Sequence, residues 1–291
     1  MKVVVTGYAG LDHVMRVVAL PRENQTSIVE GRLSHAWPRQ GGCAPNVARG
    51  VAATQIPTEL VTWLGDDAEG ERYLRDLRAD DVGTLGVSVR EGEHTASTYL
   101  FYATNGGSIC FYDPGEVRSL GLSEEQRRLV VEADWLCVTV GPRRVSEDLL
   151  EAVPEGVKFV WSVKADPDAF PPAVVRGLLA RSVAVVFSQG ERQFLERSVA
   201  PEDPLSLVTD GALLVETRGE GGVSVLAGED KHHYPVEPVS VADPTGAGDA
   251  FVAGMLARLV RRPDDHEGAV LGGIEAARRF VGNRAREHVE R

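Results

Sequence analysis

Short runs of apolar, largely β-branched residues recur along the chain: KVVVTG (2–7), TELVTWLG (58–65), WLCVTVG (135–141), VKFVWSV (157–163), VAVVFS (183–188) and ALLVETRG (212–219). Most are nearly continuous in apolar character instead of alternating, as strands read when both of their faces are covered. Between them lie stretches with helical spacing at 44–54, 69–80, 123–133, 146–153 and 191–199. The third opens on Ser123 with acidic residues behind it, which marks a helix start. Strand and helix in alternation leave little choice of architecture. The pattern predicts an α/β fold, a doubly wound and mostly parallel sheet flanked by helices.

Two regions break the rhythm. Residues 13–39 read as extended but polar and irregular, with a strand expected at Thr26–Glu30. Residues 94–112 read as two β-runs joined by Asn105-Gly106-Gly107, a hairpin signal. Together they predict a small β-lid (about 13–39 and 94–112) on a single domain spanning 1–291. A lid would exclude water during group transfer. The plainer reading is a surface hairpin without a role.

Lys and Arg number 31 against 43 Asp and Glu, a formal charge of -12. That field repels nucleic acid and anionic membrane, so neither is expected as a partner. It leaves room for a nucleotide held by a few backbone amides. Cys43, Cys110 and Cys137 are scattered without a C-x-x-C pair, so a reducing cytoplasm is expected and a disulfide framework or zinc site is not. The start, MKVVVTGYAGLD, does not read as a signal peptide, and no apolar run approaches the ~20 residues of a membrane span.

Chemistry concentrates in VADPTGAGDAFVAGML (241–256). Gly246, Ala247 and Gly248 precede a helix whose apolar face is Phe251, Val252, Met255, Leu256, Leu259 and Val260. A small-residue turn entering a helix leaves amides pointed outward along the helix dipole, which makes an anion site. Asp249 sits where an anion would arrive; alone, it could equally be a helix cap. The chain has no G-x-x-x-x-G-K-[ST], and Gly7 and Gly10 lack the full dinucleotide-binding spacing.

Asp243 to Phe251, D-P-T-G-A-G-D-A-F, resembles the C-terminal signature of the ribokinase-like (PfkB) family of sugar and nucleoside kinases. Gly41-Gly42-Cys43-Ala44-Pro45-Asn46-Val47-Ala48 is similar to that family's N-terminal G-G-x-x-x-N-x-A, and Leu64-Gly65-Asp66-Asp67 with Gly70 to its G-x-D-x-x-G. The resemblance implies that Asp249 is the general base and that the amides of Gly246, Ala247 and Gly248 form the anion hole. It implies Asp12, Gly41, Gly42 and Asn46 at the acceptor, with the Asp12 carboxylate taking two hydroxyls. At the nucleotide end it implies Ser188 and Glu191, the latter ordering Mg²⁺ through water, with Thr217 and Gly219 lining ATP. Asp243 and the backbone near Thr245 would hold a monovalent cation, K⁺.

The chain departs from the family pattern in places. Ser188 stands where relatives commonly have Asn. Trp161 to Asp166 lacks the Asn and Arg of the common D-x-N-x-R strand end, leaving Lys164 either as the substitute charge or as a solvated lysine. Phe111-Tyr112-Asp113-Pro114-Gly115 resembles a stretch of nucleoside-kinase relatives, and Tyr99, Phe101, Phe111 and Tyr112 offer rings to a base. A nucleoside acceptor is therefore favoured over a plain sugar. A sugar phosphate stays open, because Arg16, Arg32 and Arg39 lie in the right region. A non-catalytic binding protein on the same scaffold would be expected to have lost Asp249. The family's lid strands also suggest a homodimer.

Overall fold

A computed structural model of the chain describes residues 1–33, 37–228, 230–239 and 244–289. In chain order its strands are β1 (Val3–Thr6), β2 (Gly10–Val17), β3 (Val29–Arg32), β4 (Arg39–Gly41), β5 (Thr58–Gly65), β6 (Val87–Arg90) and β7 (Ser97–Ala103). There follow β8 (Ser108–Asp113), β9 (Trp135–Val138), β10 (Lys158–Ser162), β11 (Ser182–Ser188), β12 (Leu213–Thr217), β13 (Val223–Ala227) and β14 (Asp230–Tyr234). The helices are α1 (Cys43–Ala52), α2 (Ala68–Ala79), α3 (Glu124–Val131), α4 (Arg143–Ala152), α5 (Pro172–Arg181), α6 (Arg192–Val199), α7 (Ala247–Arg261) and α8 (His266–Val289).

The main sheet runs β14-β13-β12-β11-β10-β9-β1-β5-β6. It is parallel from β6 to β12, and an antiparallel β13–β14 extension completes it. Covering both faces is what made the apolar runs continuous. Val3 and Val5 pack on one side with Val47 and Val51 of α1 and Phe251 and Met255 of α7. Val4, between them, packs on the other with Val130, Leu149, Val175 and Leu178 from α3, α4 and α5. All three valines are fully buried. No helix among the described residues is long and apolar enough to cross a membrane.

Helix α3 starts as its sequence indicates. The Ser123 hydroxyl accepts from the Gln126 N–H at 3.1 Å, and the Gln126 side chain accepts from the Ser123 N–H at 3.1 Å. This capping box satisfies two amides that the helix leaves without partners. Ser123→Ala is expected to lower stability by about 1 kcal/mol, read as an earlier midpoint in urea unfolding.

The second sheet, β3-β2-β7-β8 with β4 also on β2, is built from the two irregular regions. Its first strand begins earlier than expected, at Gly10, and the strand expected at 26–30 lies at Val29–Arg32. Gly106 and Gly107, with φ of 90° and 87°, turn the β7–β8 hairpin, conformations a side chain would strain. Register aligns Asp12 with Thr98 and Tyr112, and His13 with Tyr99 and Phe111. The two-residue period puts the first set on one face and the second on the other.

Candidate active site

The residues singled out from sequence gather where the parallel strands end and helices begin, the usual place for ligands in such sheets. At one end lies Asp12 on β2, 7% exposed, accepting from Arg39 Nη2 at 3.2 Å. Gly41 is small for a reason visible here. A Cβ at that position would lie 2.3 Å from the Asp12 carboxylate. The Tyr73 hydroxyl donates to the Gly41 carbonyl and fixes this turn. Gly42 has φ of 96°, and a Cβ there would meet the Tyr8 carbonyl oxygen at 2.4 Å. Gly41→Ala is thus expected to displace Asp12 and cut kcat/KM for the acceptor by about 10²-fold with little change in KM for ATP. Steady-state kinetics varying each substrate in turn checks this.

Asn46, in the first turn of α1, donates from Nδ2 to Asp249 Oδ2 at 2.8 Å. One hydrogen bond thereby joins the two halves of the sequence pattern. Asp249 lies in the first turn of α7 and is 6% exposed. Burial pushes its carboxyl above the ordinary range, while Lys164, Asn46 and the Cys43 thiol each pull it back; Asp12 adds to the rise. Burial, then Asp249, pushes the Cys43 thiol up as well, so it faces the carboxylate as a neutral donor.

Gly246 is left-handed, with φ of 98°, and a Cβ there would lie 2.8 Å from the Phe280 ring. The Ala247 N–H donates back to the Pro244 carbonyl at 3.0 Å, so it is already engaged within the turn. Gly248 and Asp249 follow in the first turn of α7, where a helix has no carbonyl of its own for its amides. Beside this loop the Tyr102 hydroxyl of β7 bonds Thr245 Oγ1 at 2.9 Å, tying the second sheet to the turn before α7. Asp243, read from sequence as a monovalent-cation partner, lies outside the described residues.

On the far side of the loop a cleft of about 710 Å³ is lined by Thr217, Gly219, Ala247 and Gly248, with Val223 and Ile274 among its apolar walls. Arg278 pairs with Glu237, both on that wall, at 2.6 Å. Ser188 sits opposite Thr217 in the β11–β12 register, and its N–H donates to Glu191 Oε2 at 2.6 Å. Glu191 Oε1 lies 3.4 Å from Lys164 Nζ. Buried Glu216 accepts from Arg192, next to Glu191, and from Arg218, which holds the loop after β12 in place; both bonds keep its carboxyl below the ordinary range.

Several side chains stand differently from expectation. Lys164 is not a solvated lysine; it is half-buried and paired inside the site. Tyr99, Phe101 and Phe111 lie on the face of the second sheet away from Asp12, where Tyr99 stacks on His13 at 4.7 Å. Tyr112 is on the Asp12 face, 5.6 Å from Tyr8. Arg16 pairs with Glu30 and Arg32 lies over Trp37, leaving Arg39 as the arginine of the three that bonds Asp12. Cys43 and Tyr102 carried no sequence signal beyond their places beside a glycine pair and in an aromatic strand.

The model of the pfkB family carbohydrate kinases matches residues 2–283. The chain belongs to that family. PfkB proteins are phosphotransferases acting on hydroxyl groups of sugars and nucleosides, and this chain is an ATP-dependent kinase of that kind. It is 27% identical over 291 aligned residues to the ATP-dependent ribose-1-phosphate kinase of Halopiger xanaduensis, covering 96% of this chain and 94% of that one. Among solved structures, the nucleoside kinase of Methanocaldococcus jannaschii superposes with a TM-score of 0.79 at 21% identity, over 95% of this chain and 90% of the other. The nucleoside kinase of Burkholderia thailandensis in complex with inosine gives 0.76 at 21% identity, over 94% and 89%. Both structures share the fold of this PfkB chain.

Proposed function

We propose that this kinase transfers the γ-phosphoryl of ATP to a hydroxyl of a ribose-bearing acceptor, a nucleoside first. The observation that carries the reading is the hydrogen bond from Asn46 to Asp249. It ties the candidate base, in the first turn of α7, to α1, the helix that follows the Gly41-Gly42 turn packed against Asp12. The acceptor oxygen attacks the γ-phosphorus, the bond to the β–γ bridging oxygen breaks, and ADP leaves with the electron pair. The hydroxyl proton passes to Asp249. Amides of the α7 turn, Gly248 foremost, meet the charge on the moving group, with Gly246 and Ala247 shaping the turn. Asp12 and Asn46 orient the acceptor over Gly41 and Gly42. The second sheet acts as a lid within one domain, its strands at residues 10–17, 29–32, 39–41, 97–103 and 108–113.

ATP takes the cleft beside Thr217 and Gly219, with Ser188 near its phosphates. Mg²⁺ would accompany the nucleotide. Among the described residues no group of three or more acidic, histidine or cysteine side chains is placed to hold a metal. Glu191 offers a single carboxylate, already bonded to the Ser188 N–H and close to Lys164, which suits a partner for metal-bound water. When bound, the metal would supply neutralising charge to the phosphates, with Glu191 holding its water.

Tyr112 against Tyr8, beside the Asp12 face, favours a nucleoside, because a ring pair at that place can receive a base. A second reading, a ribose phosphate, is favoured by Arg39 on Asp12 and by the Halopiger relative's named activity. A coupled ADP-release assay over nucleosides, ribose, fructose and sugar phosphates with Mg·ATP separates the two. Turnover of none of them would overturn both acceptor readings.

The outer lid face exposes Tyr99, Ile109 and Phe111, and β8 is an open edge. A second copy of the chain covering this face would remove both liabilities. Light scattering should then give twice the chain mass, and Phe111→Asp should return the monomer. Free Cys43, Cys110 and Cys137 suit a reducing cytoplasm.

A further inference from the structure

The strand end after β10 carries neither the Asn nor the Arg of the common motif, and the structure places a different cation there. Lys164 Nζ is 3.4 Å from Glu191 Oε1, a looser spacing than a charge-assisted hydrogen bond of about 2.7–2.9 Å. An ammonium has three donors, so a loose single partner leaves it ready to turn to another acceptor. A lysine ammonium is charged throughout the working range, and the ionisable groups that surround it are Cys43, Glu191 and Asp249. Cys43 opens α1, Asp249 lies in the first turn of α7 and Glu191 stands just before α6. Lys164 therefore contacts the group assigned to the metal end and shares an electrostatic neighbourhood with the starts of α1 and α7.

Charge balance gives this position its meaning. Bound ATP adds several negative charges to a site that already holds Asp12, Asp249 and Glu191. Arg39 is engaged by Asp12 at the acceptor end. We propose that Lys164 is a catalytic residue of this kinase, its ammonium contacting the phosphoryl group in transit between Glu191 and Asp249. It gives up no proton. The new bond is acceptor oxygen to phosphorus, the broken one is phosphorus to the bridging oxygen, and the released proton goes to Asp249. Lys164 follows the equatorial oxygens, whose charge is most exposed while the group belongs to neither partner.

The inference rests on the kinase reading and is tested with an acceptor that the wild-type chain has been shown to phosphorylate. Failure of the wild type on every acceptor would overturn that reading and this one with it; failure below would overturn only the role of Lys164. Lys164→Met should lower kcat by about 10²–10³-fold, with the KM values for ATP and acceptor changed far less. Its ADP affinity by calorimetry should stay within about threefold, whereas binding of ADP with aluminium fluoride and acceptor, a mimic of the moving phosphoryl, should weaken in step with kcat. Lys164→Arg should recover part of both losses. A Met variant with kcat within about threefold of wild type, or one losing ADP and the mimic equally, overturns the proposal. Should the Met variant misfold, Lys164→Gln takes its place with the same expected and overturning outcomes.

Discussion

Asp249→Asn is expected to lower turnover by about 10²-fold or more and, near neutral pH, to raise the melting temperature. Both effects have one origin. Asp249 is almost fully buried, and burial outweighs the help it receives from Lys164, Asn46 and Cys43, so its carboxyl titrates above the ordinary range. A group whose folded-state pKa is raised contributes stability that is fully present below its unfolded pKa. That contribution is lost as pH rises through the folded value. At neutral pH the ionised carboxylate is thus a cost to the fold, and the uncharged amide removes it. The Tm gain should be largest at pH 7 to 8 and should fade as pH falls through the raised carboxyl pKa toward about 4, the ordinary Asp value. Activity runs the opposite way. Wild-type kcat should fall on the acid side of the raised carboxyl pKa, because a protonated base cannot take the acceptor's proton. Scanning calorimetry of both proteins across pH, with ADP-release kinetics alongside, checks the pair of effects. Near-normal turnover of the Asn variant would remove Asp249 as the base.

Asp12→Ala should lower kcat/KM for the acceptor by about 10³-fold, the worth of one or two charge-assisted hydrogen bonds to its hydroxyls, with KM for ATP hardly moved. The carboxylate is nearly buried: Gly41 sits against one side and Arg39 bonds another. Removal also leaves the Arg39 guanidinium, itself mostly buried, without this anion. An acceptor carrying its own phosphate could supply the missing charge. The loss should therefore be smaller for a ribose phosphate than for a nucleoside. Comparing the two acceptors in the same variant tests both the role of Asp12 and the choice between the readings.

The main sheet was legible because its strands are buried on both faces, so Val3, Val4 and Val5 had to be apolar in succession. The second sheet was only half legible. Strand β3 reads Val-Glu-Gly-Arg and buries none of these residues, so hydrophobic pattern could not place its ends. Helix α5 was masked by its entry through Pro171 and Pro172, residues that read as a break although proline suits a first helical turn. At the site, motif spacing identified Asn46 and Asp249, which the structure brings to one hydrogen bond. Lys164 was ambiguous because a lysine after a strand looks the same whether it meets water or Glu191. The Ala247 amide was assigned outward with its neighbours, and only the turn geometry reveals that it bonds Pro244.

The bond between Asn46 and Asp249 spans 203 positions of chain. On the ribosome, an emerging chain would have its acceptor half, with Asp12 and Asn46, long before the base exists. Until α7 has been synthesised and packed against α1, such a chain lacks the proposed base and the loop proposed to receive a phosphoryl. Molecules truncated before α7 therefore lack both proposed groups, however well their first half folds.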